Sequence, residues 1–330
     1  MKAAWYDRQG QAADVLRVGE VPDPSPGPGE VRVRLRYSGV NPGDVKKRQG
    51  WLGSPMPFPR VIPHSDGSGV IDAVGSGVER ARLGQRVWVY GAQSYRPFGT
   101  AAEVTVVPDG LAIDLPASVT DQLGATLGIP GITAHRAVFG DGPVAGRTVL
   151  VHGVHGGVGS IAAALAAWGG ATVIGTVRGT AELDRIDRNA VRHAVALDQT
   201  EPAAQIRAAA PDGVDRIVEV ALSANVDLDA QSVRQGTVIA AYSSPDNRPQ
   251  IPFWPLLFAN VTLRLLGSDD FPAEAKQQAT RDLSVVAAER RLDFQIAPAY
   301  SLDQIAEAHE ALESGARGGR VLVALQPLAG

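Results

Sequence analysis

Residues Thr148 to Gly159, TVLVHGVHGGVG, constrain the fold of this chain more than any other stretch. Thr148–His152 holds two valines and a leucine and no breaker. Gly153, Gly156, Gly157 and Gly159 follow, separated only by Val154, His155 and Val158. Ser160–Trp168, SIAAALAAW, is then apolar and alanine-rich, as a buried helix is. A strand, a tight glycine turn and a helix in immediate succession form a dinucleotide-binding unit. Glycine permits the sharp turn and lets the backbone approach a pyrophosphate, which sits where the helix N–H groups point outward. Gly153, Gly156, Gly157, Val158 and Gly159 are therefore the expected phosphate cradle.

From Gly146 onward strands and helices alternate. Expected strands are Thr172–Val177, His193–Leu197, Asp215–Val220, Gly236–Tyr242 and Ala259–Leu266. Expected helices between them are Ala181–Asn189, Pro202–Ala209 and Val226–Arg234. That alternation predicts a parallel sheet with helices on both faces. The rhythm breaks after Gly267: a helix over Ala273–Arg291, a strand over Phe294–Ala299, a helix over Leu302–Ser314 and a strand over Arg320–Leu325 are expected.

Residues 1–120 read instead as strands and proline-rich turns. Strands are expected at Lys2–Tyr6 and Val15–Val21. Glu30–Val40 alternates Val31, Val33 and Leu35 with Arg32, Arg34 and Arg36, the pattern of a half-buried strand whose arginine face is solvated. Asn41-Pro42 starts a short helix, with Asn41 as N-cap. Further strands follow the glycine-rich turn in Pro63–Val74, and at Gln85–Tyr90 and Gly99–Val107. Helices are expected over Val119–Leu127 and Gly131–Phe139.

The chain has 330 residues, 45% of them hydrophobic and 20% charged, the balance of a globular protein with room for two domains. A net charge of −4 supplies no electrostatic case for nucleic acid or an acidic membrane surface. No apolar run is long enough to span a bilayer, and MKAAWYDRQG lacks a signal-peptide core, so a cytoplasmic protein is expected. The absence of cysteine excludes disulfides, thiolate nucleophiles and Cys-ligated zinc.

The strand ending at Val177 runs into Arg178, and no acidic residue occurs until Glu182. NAD enzymes of this architecture place an acid near that point to bind ribose hydroxyls. An arginine suits a 2′-phosphate, which its guanidinium can grip with two hydrogen bonds. NADPH is the expected cofactor, with Arg185 a weaker second phosphate ligand.

The segments SGVNPGDVKKRQG, PHSDGSGVIDAVGSGV, GITAHRAVF, VLVHGVHGGVGSIAAALAAWGG and HEALESGARGGRVLVAL, in that order, resemble the zinc-independent medium-chain dehydrogenase/reductases of the quinone oxidoreductase (zeta-crystallin-like) branch. The resemblance implies an α/β protein in which a GroES-like β domain accompanies a doubly wound Rossmann domain. Residues 1–124 and 267–330 would form the first and 125–266 the second, with substrate bound between them. It implies that Asn41 and Asp44 line the nicotinamide site. Lys46 stands where the family usually has tyrosine, and Val154 where the first fingerprint glycine would be. Thr133 would contact the nicotinamide end, as would Tyr242, Ser243 and Ser268 beyond two strand ends. Zinc-dependent relatives have a cysteine at or near Asn41 and a Gly-His-Glu segment where this chain has His64-Ser65-Asp66, so no metal is expected.

The resemblance thus implies hydride transfer from NADPH to a quinone, with Asn41 first and Lys46 second as donors to the developing oxyanion. Reduction of an enone, enal or acryloyl thioester uses the same machinery and stays open. A non-enzymatic NADPH- or RNA-binding role is disfavoured by the glycine turn and the acidic charge. Strand 260–266, apolar and at the sheet edge, predicts a homodimer.

Overall fold

Strand β1 (Lys2–Trp5) pairs antiparallel with β2 (Arg17–Glu20) across a one-turn helix, α1 (Ala12–Val15). The strand expected from Val15 starts later because Ala12 and Val15 enter the core from that helical turn. In β3 (Glu30–Gly39), Val31, Val33 and Leu35 are buried, as their alternation requires. The arginine face is paired rather than merely solvated: Arg32 and Arg34 share Asp72, and Arg36 meets Asp121.

Helix α2 (Pro42–Gln49) follows, closed by Gly50 in the left-handed region at φ 73°. Then come β4 (Asp66–Val74), β5 (Arg86–Val89), β6 (Val104–Pro108), β7 (Ala112–Asp114) and α3 (Asp121–Gly124). α3 is shorter than the helix expected over 119–127; α4 (Ile129–Phe139) matches expectation closely.

The second region holds β8 (Thr148–Val151), α5 (Gly157–Trp168), β9 (Thr172–Val177), β10 (His193–Ala196), α6 (Pro202–Ala209), β11 (Val214–Glu219), α7 (Leu222–Ser232), β12 (Val233–Ala241), α8 (Phe253–Phe258), β13 (Thr262–Leu265) and α9 (Ala273–Ala288). Every pairing is parallel, in the order β10-β9-β8-β11-β12-β13. That is the 3-2-1-4-5-6 order of a Rossmann sheet, and the glycine turn lies at the C-terminal end of β8, where the order reverses. The helix expected at 181–189 is only a 3-10 segment, Thr180–Arg185. Half of its residues are charged, and they offer no continuous apolar face to pack on the sheet.

No strand forms over Phe294–Ala299: Ile296 makes one isolated bridge to Arg320, and β14 is Tyr300–Ser301. Helix α10 (Ile305–Glu313) and β15 (Leu322–Ala324) return to the first sheet, β15 antiparallel to β3. That sheet runs β14-β15-β3-β4-β5-β7, with β6 also on β3.

The computed structural model describes residues 1–315 and 319–325; residues 316–318 of the resembling C-terminal segment lie outside the described residues. It comprises two compact units, Met1–Ile129 with Gln295–Gly330, and Pro130–Phe294. The second unit extends past residue 266 because α9 packs within it. Leu283 sits where a side chain on Gly131 would collide, and Asp282 bonds His135. No described helix is long and apolar enough to cross a membrane.

Candidate active site

In the second unit the glycine turn is built by close backbone approach. Gly153 adopts φ 67°, and a Cβ on Gly159 would lie 2.2 Å from the Gly153 carbonyl oxygen. Gly156 is the N-cap of α5 and supplies no side-chain cap, so Gly157, Val158 and Gly159 begin the helix with N–H groups available to an anion. Val154 takes the place of a fingerprint glycine because its side chain has a use: it packs where a Cβ on Gly175 of β9 would otherwise go. The turn therefore has the shape that a pyrophosphate needs.

Beneath the turn lies a polar group that the sequence did not single out. His152, Thr176, Glu219 and Asp229 are all fully buried. His152 Nε2 is 2.8 Å from Asp229 Oδ1 and 3.5 Å from Glu219 Oε2, and its Nδ1 is 3.0 Å from Thr176 Oγ1. Thr176 Oγ1 also accepts the Gly153 N–H at 3.2 Å, tying the histidine to the turn. Asn225 Nδ2 donates to both Glu219 oxygens.

Burial pushes Glu219 up to about 7. Burial alone would lower His152, but the hydrogen bond and charge of Asp229, with the charge of Glu219, hold it above its ordinary value. The trio is the one grouping of metal-capable donors found among the described residues. Both His152 nitrogens are already engaged in hydrogen bonds.

Arg178 follows β9 with its side chain exposed, and its backbone N–H donates to Glu182 Oε2 at 3.0 Å. Asp198 closes the same loop, accepting from the Thr180 N–H and hydroxyl. Thr133 is buried on α4. Tyr242 and Ser243 come directly after β12, where the Tyr242 N–H donates to the Glu219 carbonyl and the Ser243 carbonyl accepts from Leu222. Ser268 opens a 3-10 turn after β13.

In the first unit, Asn41 and Asp44 meet directly. Asp44 Oδ2 accepts the Asn41 backbone N–H at 2.8 Å, so this carboxylate caps α2. The Asn41 side chain turns to Asp66, donating from Nδ2 to Oδ2 at 2.6 Å. Asp66 is fully buried and also accepts the Ile129 N–H, at 2.9 and 3.0 Å. The Lys46 ammonium lies 4.6 Å from the centre of the Trp51 ring.

The residues standing where zinc-dependent relatives hold the metal are thus an amide already donating, a serine, and a carboxylate already accepting from two N–H groups. This donor set does not fit a catalytic zinc.

His64 was readable from sequence only as a turn residue. It is buried at φ 74°, its Nδ1 2.8 Å from Ser38 Oγ and its Nε2 2.9 Å from His309 Nε2. Neither Asp66 nor this pair carried a local signal beyond residue type, since His309 lies 245 positions away.

Two family descriptions match: alcohol dehydrogenase GroES-like domain over residues 27–117, and zinc-binding dehydrogenase over residues 157–280. The quinone oxidoreductase of Pongo abelii is 31% identical over 297 residues, covering 86% of each chain. Among solved structures, an NAD-dependent alcohol dehydrogenase superposes with a TM-score of 0.86 at 26% identity, covering 99% of this chain and 100% of its own. A mycobacterial quinone oxidoreductase gives 0.82 at 25% identity, covering 98% and 99%.

Burial lowers His64 from 6.5 to about 3 and drives His309 well below 6.5, so both are neutral when folded. Below pH 6.5 the unfolded chain gains protons that the folded histidines refuse, so their contribution to stability falls as pH falls. The loss is roughly 1.4 kcal/mol per histidine for each pH unit well below 6.5. Glu219 works in the opposite sense, gaining a proton when folded below about pH 7. A His64→Asn variant isolates the histidine contribution from that of Glu219. Its unfolding midpoint should fall less steeply than the wild type's between pH 6.5 and 5; parallel slopes would contradict buried neutral His64.

Proposed function

The chain belongs to the medium-chain dehydrogenase/reductase family, in its quinone oxidoreductase branch, and from that membership we propose that it reduces a quinone with NADPH and without a catalytic zinc. It is an oxidoreductase, and its acceptor is a small molecule. The observation that carries the zinc-free reading is the Asn41–Asp66 hydrogen bond at 2.6 Å, which engages the two side chains best placed to replace metal ligands.

NADPH, when bound, supplies the hydride. Gly153, Gly156, Gly157, Val158 and Gly159 hold its pyrophosphate, and Arg178 holds the 2′-phosphate. Thr133, Tyr242, Ser243 and Ser268 line the nicotinamide end. Asn41 acts on the acceptor. Asp66 fixes the rotation of the Asn41 amide by taking one N–H, which leaves the second N–H to donate to the oxygen on which negative charge develops. One such preorganised donor is worth about 2.7–4 kcal/mol in a water-poor site. Asp44 holds the backbone of Asn41 and does not itself react. The proton that completes the product comes from water.

Strand β13 lies at the sheet edge with Leu265 72% exposed, and α8 exposes Phe253, Trp254 and Phe258 nearby in sequence. An apolar edge of this kind supports a homodimer formed through residues 260–266.

Replacing Asn41 by Ala should lower quinone turnover by roughly a hundredfold while NADPH affinity stays nearly constant; unchanged turnover would remove Asn41 from the chemistry. Arg178→Ala should weaken NADPH far more than NADH in a binding titration, and an equal effect on both would contradict the 2′-phosphate assignment. Light scattering should give a dimer mass for the wild type and a monomer mass for Leu265→Lys; a dimer that survives the lysine would place the interface elsewhere.

A further inference from the structure

Arg48, His64, His309, Ser38 and Thr100 are completely buried in the first unit, and none of them takes part in the chemistry above. They form one continuous hydrogen-bonded chain. Arg48 Nε lies 3.4 Å from His309 Nδ1, and its Nη groups reach the Gly10 carbonyl and the Glu313 carboxylate. His309 Nε2 is 2.9 Å from His64 Nε2. His64 Nδ1 is 2.8 Å from Ser38 Oγ, Ser38 Oγ is 2.7 Å from Thr100 Oγ1, and Thr100 Oγ1 donates to the Asp66 backbone carbonyl at 2.6 Å.

The two ends fix the direction of every link. Arginine can only donate, so His309 Nδ1 accepts and the His309 proton sits on Nε2. That proton is donated to His64 Nε2, which puts the His64 proton on Nδ1. It is donated in turn to Ser38, whose hydroxyl donates to Thr100, whose hydroxyl has only the Asp66 carbonyl left. Neither end exchanges a proton readily: a guanidinium does not deprotonate and an amide carbonyl does not take one up. The chain is therefore a rigid strut and not a proton wire.

It also offsets a local strain. His64 is held at φ 74°, a conformation costly for a residue with a Cβ, and both of its ring nitrogens are used to keep it there. The His64 and His309 rings lie within 22° of parallel with centroids 5.1 Å apart, as an end-to-end link through their Nε2 atoms requires. The backbone on either side is pinned as well: the His64 carbonyl accepts the Thr100 N–H and the Pro63 carbonyl accepts the Ala101 N–H. What the strut holds in place is the segment that ends at Asp66.

We propose that Arg48, His309, His64, Ser38 and Thr100 are positioning residues that set Asp66, and through it the Asn41 amide, from α10, whose His309 lies 245 positions from His64 in sequence. The proposal rests on the reading of Asn41 as the oxyanion donor.

Two substitutions at one position test it. His309→Gln keeps an acceptor and a donor on one side chain, whereas His309→Leu keeps only bulk. Quinone kcat should fall roughly tenfold or more in the leucine variant, the scale of loss from a misplaced donor, with KM for NADPH within about twofold of wild type. The glutamine variant should recover most of that kcat. Equal kcat in the two variants, or a folded leucine variant with wild-type kcat, would overturn the proposal. If His309→Leu does not fold, Ser38→Ala breaks the same chain at its centre and must show the same split between kcat and KM.

Nitrogen-15 NMR supplies a readout independent of turnover. In the wild type, His309 should carry its proton on Nε2 and His64 on Nδ1, and the Asn41 side-chain amide resonance should move in Ser38→Ala. Reversed tautomers or an unmoved Asn41 amide would overturn the strut even if quinone reduction is confirmed. The predicted tautomers and an Asn41 shift, in a protein that reduces no quinone, would place the failure in the proposed function instead.

Discussion

A carboxylate removed from water survives only where donors surround it, and the first unit is arranged around one such group, Asp66. Its side chain takes the Asn41 amide and the Ile129 N–H, and its carbonyl takes the Thr100 hydroxyl. The demands of that arrangement reach into the sequence. Residue 128 must be glycine, since a Cβ there would sit 2.0 Å from Asp66 Oδ1. Residue 64 must accept a left-handed backbone. Residue 41 supplies an amide N–H to the Asp66 carboxylate.

The second unit solves a related problem beneath the glycine turn. The close approach of Gly153 and Gly159 leaves no room for side chains above, and the polar cluster of His152, Glu219 and Asp229 supports the turn from below. Thr176 joins the two by accepting the Gly153 N–H while facing His152. Buried polar networks of this kind specify one backbone arrangement, because each member left without its partner would be costly.

Much of the fold was legible because it depends on local pattern. Alternation in Val31–Leu35 gave β3, and the glycines after Val151 gave both the turn and the helix behind it. Where local pattern is weak, reading failed: the charged stretch after Arg178 winds only into a 3-10 turn, and the expected strand at Phe294–Ala299 reduces to one bridge. The glycine cradle and the Asn41–Asp44 pair were visible as residues in the right order. The roles of Asp66, His64 and His152 were not, because their partners lie 25, 245 and 77 positions away. Lys46 was legible as a charged neighbour of Asn41, while its contact with the Trp51 ring was not.

The proposed hydride chemistry needs NADPH and an amide donor, and no metal in the site. The most direct measurement is the rate of NADPH oxidation with 1,4-benzoquinone by protein dialysed exhaustively against a strong chelator, with NADH run in parallel. Full activity after chelation, with NADPH the better donor, is the expected result. Activity that vanishes on chelation and returns with added zinc would contradict a metal-free mechanism.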